Sequence, residues 1–162
     1  MDIVQVRNYL ARNRFHVIPT DVHADAESVT GVKRVGEITI RVTSEKKKKD
    51  IEIAVYPHTR LNIKTTFTTS VKSIDEIEKG IEKLMDKMAR YLRALEDITS
   101  LLRDMGFREG VNTIGVWKGE DKTIFISIDE LHPYRIEVAI HIHMGLRDLK
   151  RLKKLIEVIM SV

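Results

Sequence analysis

Residues 73–106 read SIDEIEKGIEKLMDKMARYLRALEDITSLLRDMG, and this stretch divides the chain into two halves. Its apolar residues follow an unbroken alternation of three and four, which predicts one long helix. The stripe consists of Ile74, Ile77, Ile81, Leu84, Met88, Tyr91, Leu95, Ile98, Leu102 and Met105. Ser73 with Glu76 is a capping-box pattern, and Gly106 stands where a C-terminal cap belongs. We therefore expect a helix over 74–105, either continuous and about 48 Å long or bent near 89–92.

The apolar stripe of this helix is wider than a coiled-coil seam. Met85, Leu92, Ala94 and Leu101 occupy flanking positions where a coiled coil would carry paired charges. A wide stripe is typical of a helix that packs on a sheet, whereas the heptad-like spacing also suits a helical seam between subunits. Packing within the fold is the favoured interpretation, and the seam is the alternative.

Segments of alternating apolar and polar residues lie on both sides of the long helix. Before it they are Glu37–Thr43, Asp50–Tyr56 and Arg60–Thr69; after it they are Thr113–Lys118, Lys122–Asp129 and Arg135–Met144. Period-2 alternation is typical of strands with one buried face, and short connections predict antiparallel meanders. We expect the core side of the last strand to be Ile136, Val138, Ile140, Ile142 and Met144.

Two shorter helices are predicted at the ends of the chain. Residues 3–14 place Ile3, Val6 and Leu10 on one side. Residues 146–160 form the last helix, whose expected inward residues are Leu149, Leu152, Leu155, Ile156 and Ile159. Residues 16–36 show no clear period, which predicts a long loop.

The two halves resemble each other. LARNRF at 10–15 is similar to LRDMGF at 102–107, and Arg60-Leu61-Asn62-Ile63 parallels Arg135-Ile136-Glu137-Val138. These likenesses predict one α+β domain, residues 1–162, made of two α-β-β-β-α repeats. The first repeat covers 1–90 with the loop at 16–36, and the second covers 91–162.

The expected architecture has two layers, with antiparallel meander sheets packed on helices around a shared core. This order of elements resembles that of secretion-chaperone-like α+β folds. The resemblance is one of topology, and no motif extends it to that family's function.

Composition excludes several classes of function. The chain has 162 residues, a net charge of +4 and no cysteine, which excludes disulfides, thiol nucleophiles and Cys-ligated metals. No Walker-type, GxGxxG, GxSxG or HExxH motif occurs. The absence of a long apolar run and of a signal-like start predicts a cytoplasmic protein. High Lys, Arg, Glu and Ile is a thermophile-like composition.

Two clusters have the spacing of metal ligands, although no cofactor is expected. His141 and His143 share one face of a strand, where both rings could reach one ion, but a third ligand would have to converge. Asp21, His23 and Asp25 would also share a face if extended. Surface or interface histidines and loop-capping carboxylates are the favoured interpretations.

The sheet face away from the helices combines rings and cations. Its predicted binding residues are Arg41, Tyr56, Lys64, Trp117, Phe125, Arg135, His141 and His143. Rings that stack and cations that contact phosphates suit single-stranded nucleic acid. Acidic Glu37, Glu52 and Glu137 reduce the potential, and the same residues would serve a symmetric dimer interface.

Basic residues concentrate in two further places. One is a predicted hairpin tip and the other is the polar side of the last helix; they comprise Lys46, Lys47, Lys48, Lys49, Lys150, Arg151, Lys153 and Lys154. Either cluster could contact phosphates or an anionic membrane surface. Solvation of a sheet edge and of a helix face is the favoured interpretation.

These features lead to a ranked set of functional hypotheses. The first is a non-enzymatic protein-interaction module, a homodimer that recognises a partner through the open sheet face or the long helix. The alternative is a binder of single-stranded DNA or RNA. A metal-dependent enzyme is third.

Overall fold

The computed structural model describes residues 2–19, 26–57, 65–110, 112–129 and 132–162. It confirms an α+β fold in which two antiparallel sheets pack with three helices. The elements in chain order are α1 Ile3–Arg12, β1 His16–Ile18, β2 Ser28–Val35, β3 Ile38–Glu45, β4 Ile51–Pro57, β5 Phe67–Val71, α2 Ile77–Asp104, β6 Arg108–Gly110, β7 Thr113–Lys118, β8 Lys122–Ile128, β9 Ile136–Ile142 and α3 Leu149–Met160.

Both sheets are meanders whose strands pair in chain order. The first sheet is β1-β2-β3-β4-β5 and the second is β6-β7-β8-β9, with every neighbouring pair antiparallel. Each sheet therefore has more than the three predicted strands. The expectation of a long loop over 16–36 is wrong, because β1 and β2 lie within it.

Gly31 interrupts the alternating apolar pattern of β2, so the pattern did not predict this strand. The packing around Gly31 requires a residue without a side chain. A Cβ on Gly31 would lie 2.9 Å from Cδ1 of Leu10 and 3.1 Å from Cβ of Phe15. The second sheet repeats this approach, since a Cβ on Gly115 would lie 3.0 Å from Cδ1 of Leu102. In both sheets a strand passes closely under the end of the preceding helix.

The likeness between LARNRF and LRDMGF corresponds to one type of helix ending. The Phe15 N–H donates to the Leu10 carbonyl at 3.0 Å, and the Phe107 N–H donates to the Leu102 carbonyl at 2.9 Å. The residue before each phenylalanine has a positive φ, 62° at Arg14 and 85° at Gly106. These are the bonds and the left-handed residue of a Schellman cap.

Helix α2 extends without interruption from Ile77 to Asp104. The predicted capping box forms only in part. The Glu76 carboxylate accepts from the Lys72 N–H at 2.9 Å, while within the described residues the Ser73 side chain makes no capping bond. A 3₁₀ turn at Ile74–Glu76 precedes the helix instead and uses these residues.

Most of the apolar stripe of α2 is buried within the chain, whereas Ala94, Leu101 and Met105 are exposed. Its core residues, Ile77, Leu84, Met88, Tyr91, Leu95 and Leu102, belong to the same cluster as the inner residues of the first sheet. Gly80 marks the closest approach, because a Cβ there would lie 2.7 Å from Cδ1 of Ile53 on β4. The helix thus covers β4 and β5, while α1 covers β1 and β2.

The second sheet is covered only on the side of β7 and β8. Ile126 and Ile128 of β8 are half-buried against the core, whereas Ile136, Val138 and Ile140 of β9 are exposed. The expectation that the last strand lies in the core is therefore wrong for these three residues, which no described element covers, whereas Ile142 and Met144 are half-buried.

The inward orientation predicted for the last helix is also wrong. Helix α3 begins at Leu149, and none of its residues, all of which are described, is buried. Leu155 is half-buried, and the other four residues expected inside are exposed. Among the described residues, no helix has the length and apolarity needed to cross a bilayer.

Candidate interaction surface

Seven exposed apolar side chains belong to β9 and to α3, the helix that follows it in the chain. We name this the β9–α3 surface. Its residues and exposed fractions are Ile136 45%, Val138 57%, Ile140 48%, Leu149 69%, Leu152 42%, Ile156 46% and Ile159 58%. Large aliphatic side chains grouped in this way mark interaction sites more often than isolated exposed ones do.

The strand half of this surface continues the buried face of the second sheet. Ile126 of β8 pairs with Val138, and Ile128 pairs with Ile136. Directly paired residues lie on the same face of a sheet. The apolar face therefore extends from the core across β8 and becomes exposed at β9.

The helix half has a regular stripe. Leu149, Leu152, Ile156 and Ile159 follow helical 3-4-3 spacing, and an exposed polar side carries Lys150, Arg151, Lys153 and Lys154. A helix with one apolar and one charged side normally packs its apolar side on a core. In α3 the four stripe residues are 42–69% exposed, so none of the described elements covers them.

Asp121, in the β7–β8 turn, holds the start of α3 in place. Its carboxylate pairs with Arg151, and its backbone carbonyl accepts the His143 N–H at 2.7 Å. The hydrogen bond from Arg151 holds the pKa of Asp121 below its usual value, and the carboxylate raises the pKa of Arg151. The first turn of the helix is therefore attached at one end of the second sheet.

A second attachment joins the β8–β9 turn to the first half of the chain. The Tyr134 ring stacks on Phe67 at 6.1 Å and meets Tyr91 edge-on at 5.7 Å. The Tyr134 hydroxyl donates to the Lys87 carbonyl at 3.3 Å, and the Tyr91 hydroxyl lies 2.9 Å from that of Thr65. Burial raises the pKa of Tyr91. No periodicity in the sequence indicated this aromatic cluster.

Strands β4 and β9 carry nearly the same sequence. Residues 51–55 read IEIAV and residues 136–140 read IEVAI. The three alternating apolar residues of β4 pair with β3, and those of β9 pair with β8 in the corresponding register. Ile53 opposes Val42, and Val138 opposes Ile126. This match is the signal that could have aligned the halves. The other likeness, between 60–63 and 135–138, involves residues 60–63, which lie outside the described ranges.

The residues predicted for a nucleic-acid face are divided among separate surfaces. Arg41 and Tyr56 lie on the open face of the first sheet. Phe125 lies on the open face of the second sheet, 5.1 Å from the His141 ring. Trp117 pairs with Ile124 and therefore lies on the opposite face from Phe125, which corrects its predicted position.

Three further predicted face residues lie outside the regular strands or outside the described ranges. Arg135 lies in the turn before β9, where its N–H donates to the His132 carbonyl at 2.8 Å. His143 follows the end of β9, and Lys64 falls outside the described residues. Glu52 shares the open face with Arg41, so the charge there is mixed.

The candidate metal ligands do not form a larger cluster in the described part of the chain. No group of three His, Asp or Glu side chains that could hold an ion occurs among those residues. His132 Nδ1 lies 3.2 Å from the Asp129 carboxylate, so this ring is directed to its neighbour. Asp21, His23 and Asp25 lie outside the described residues.

The four lysines of the β3–β4 turn are exposed. Lys47 lies 3.3 Å from the Glu27 carboxylate, and Lys48 lies 2.7 Å from that of Glu45. These contacts are with solvent-exposed partners, which contribute little to stability. They place acidic groups beside the basic turn.

A shallow pocket of about 300 Å³ lies between the end of α2 and the β6–β7 hairpin. Its walls include Thr99, Leu102, Phe107 and Ile114, and Arg103 at its rim lies 3.7 Å from Glu109. This volume is at the lower end of the range for ligand sites. Arg108 adds a second cation to the lining of this pocket.

Comparison of the chain with protein-family models, with curated proteins and with solved structures gives no match.

Proposed function

We propose that this chain is a non-enzymatic protein-interaction module and that the β9–α3 surface is its contact site. The exposure of seven aliphatic side chains on adjacent elements carries the proposal. The location differs from the open sheet face and long helix suggested by the sequence, since most of the apolar stripe of α2 is buried and the open faces are mixed in charge. A cytoplasmic location stays a prediction.

The surface has the size and chemistry of a binding site. Fully burying one aliphatic side chain contributes about 1.5–3 kcal/mol, so covering seven that are half exposed would contribute on the order of 5–10 kcal/mol before the cost of association. The lysines of α3 and Arg151 would form a polar rim, as interfaces commonly have.

Trp117 adds an aromatic residue beside this apolar face. It pairs with Ile124, which pairs in turn with Ile140, so the three side chains lie in one row across the sheet. Tryptophan is enriched among the residues that dominate binding energy. A partner that covers β9 would therefore reach a half-buried indole at the same face.

The nucleic-acid hypothesis has weaker support. Single-stranded nucleic acid binds to rings and cations that share one groove. Here Tyr56 and Phe125 belong to different sheets, and Trp117 lies on the face opposite Phe125. Binding of a labelled single strand that weakens steeply with salt would restore that hypothesis.

Site-specific photo-cross-linking in the cells that produce the protein tests the proposal. A photoreactive amino acid is introduced at Val138 or at Ile156, with Ser70 on the open face of β5 as the matched exposed control. We expect protein adducts from positions 138 and 156 and few from position 70. Absence of adducts at 138 and 156, or equal yields at all three positions, would refute the proposal.

A further inference from the structure

We propose that the protein partner at the β9–α3 surface is a second copy of this chain, and that α3 of each copy packs over β9 of the other. This inference rests on the proposed function. Its basis is a contact that the molecule already makes once, between α2 and β4.

The first half of the chain shows what covers a strand with this sequence. Ile51, Ile53 and Val55 of β4 are fully buried. Helix α2 approaches so closely that a Cβ on Gly80 would lie 2.7 Å from Ile53 Cδ1. The cover of the IEIAV strand is thus an amphipathic helix that follows it in the chain.

The second half carries the same strand without its cover. The contacts that align the halves are the two Schellman caps and the two glycines, Gly31 and Gly115, packed against a leucine and a phenylalanine. In this alignment β4 corresponds to β9 and α2 corresponds to α3. The face formed by Ile136, Val138 and Ile140 therefore has the shape and chemistry to receive a helix.

Helix α3 has the required stripe but does not bury it on its own sheet. Residues 58–76, including β5, separate β4 from α2, whereas only residues 143–148 separate β9 from α3. The Asp121 contacts to His143 and Arg151 hold the start of α3 at the β7–β8 turn. Both the stripe and the strand face stay exposed in one chain, which leaves them available to another.

A reciprocal exchange satisfies both halves of the surface together. Each copy would offer one helix stripe and one strand face, which is the self-complementary arrangement of a two-fold dimer. The exposed apolar area of the seven side chains is on the order of several hundred Å², which approaches the roughly 800 Å² per partner of a standard interface once the rim is added. The lysines of α3 would stay in solvent.

An anionic lipid surface is the competing occupant, because a helix that is basic on one side and apolar on the other suits such a surface. A membrane would cover α3, but it would leave unexplained the exposed strand face and its match to β4. The pairing of a helix with a strand face favours a protein cover with both elements.

The absence of natural cysteine permits a direct test. Val138→Cys is placed in one tagged chain and Ile156→Cys or Leu152→Cys in a differently tagged chain, with Ser70→Cys replacing Val138→Cys as the control. We expect light scattering to give twice the 18.7 kDa of one chain, and mixed-tag disulfides to form from 138 but not from 70. Ile140→Lys, at an exposed position, should weaken the dimer about 30-fold or more, as loss of an interface hot spot does.

Several results would overturn the second-copy proposal. One is a mass of 18.7 kDa for the wild type at a chain concentration of about 100 μM, which would mean a dissociation constant well above that value. Another comes from a chain that carries both Val138→Cys and Ile156→Cys. A disulfide that forms only within such a chain would show that α3 closes over its own sheet. A third is a monomer that binds phosphatidylserine vesicles through α3. Photo-adducts at 138 and 156 with a different protein would also overturn it, while leaving the proposed function intact.

Discussion

Strands β4 and β9 differ in environment far more than in sequence. Residues 51–55 and 136–140 share the order Ile-Glu-aliphatic-Ala-aliphatic, and both pair with their neighbours in the same register. Ile51 is fully buried, whereas Ile136 is 45% exposed. An alternating pattern therefore indicates which side of a strand is apolar, and it does not indicate whether another element covers that side.

The difference between the two strands arises from the helix that follows each of them. After β4 the chain adds β5 and then returns along the sheet as α2, which is long enough to cover both strands. After β9 a short connection leads to α3, whose first turn is tied to Asp121. The same local sequence thus becomes core in one half and surface in the other.

The largest expected effect comes from truncating the two equivalent isoleucines. Ile51→Ala should lower the free energy of unfolding by about 2–5 kcal/mol, because it leaves a cavity in a packed core. Ile136→Ala should cost less than about 1 kcal/mol at dilute concentrations, because surface substitutions leave no cavity. Urea unfolding of both variants measures the difference. Equal losses at a concentration where the chain is monomeric would show that β9 is buried in the single chain.

A second, smaller contrast is expected at the two glycines. Gly31→Ala should destabilise by about 1–3 kcal/mol, because the new Cβ would press on both Leu10 and the less movable Cβ of Phe15. Gly115→Ala should cost less, since its closest neighbour is a terminal methyl of Leu102 that can shift, and the Cβ of Phe107 is 3.4 Å away.

Thermal unfolding of the two glycine variants checks this order. A greater loss of thermal stability from Gly115→Ala than from Gly31→Ala would mean that the second sheet packs on its helix more tightly than the first. That result would contradict the order expected from the contacts at the two glycines.

The smallest effect is expected at the aromatic cluster that joins the halves. Burial raises the pKa of Tyr91 above its usual 10.0, so its contribution to stability is complete below pH 10 and is lost as the pH rises through the raised pKa. Tyr91→Phe should remove that part of the alkaline loss of stability. It should also cost about 0.5–1.5 kcal/mol near neutral pH, because the hydrogen bond to Thr65 is lost.

Unfolding midpoints of the wild type and Tyr91→Phe between pH 7 and 11, a range that spans the usual tyrosine pKa of about 10, test this sign. Tyr9, whose pKa burial also raises, provides the background that both proteins share. Parallel curves for the two proteins would show that Tyr91 does not ionise differently in the folded and unfolded states.

Much of the fold could be predicted from local patterns. Period-2 alternation placed β7 at Thr113–Lys118 without error, and β3, β4, β8 and β9 within two residues at each end. The long helix and its Gly106 cap were predicted as well. These features are local, because they depend on side-chain direction and on backbone preferences within one element.

The features that escaped prediction depend on contacts between distant parts of the chain. Strand β2 contains Gly31, which breaks the apolar pattern and yet is required by Leu10 and Phe15. The face of Trp117 depends on the register with β8, and Tyr134 takes its partners from β5 and α2. None of these contacts is encoded in the spacing of neighbouring residues.

In the candidate site, too, some features were predictable from local sequence and others depend on tertiary contacts. The sequence by itself determined that residues 136–140 and the last helix each have one apolar side, since hydrophobic periodicity depends only on residue type and the geometry of one element. Only the tertiary structure decided that these sides are left uncovered in the single chain. Burial requires a second surface of matching length and position, and here α2 reaches β4 while the helix after β9 starts too close to its strand to return across it.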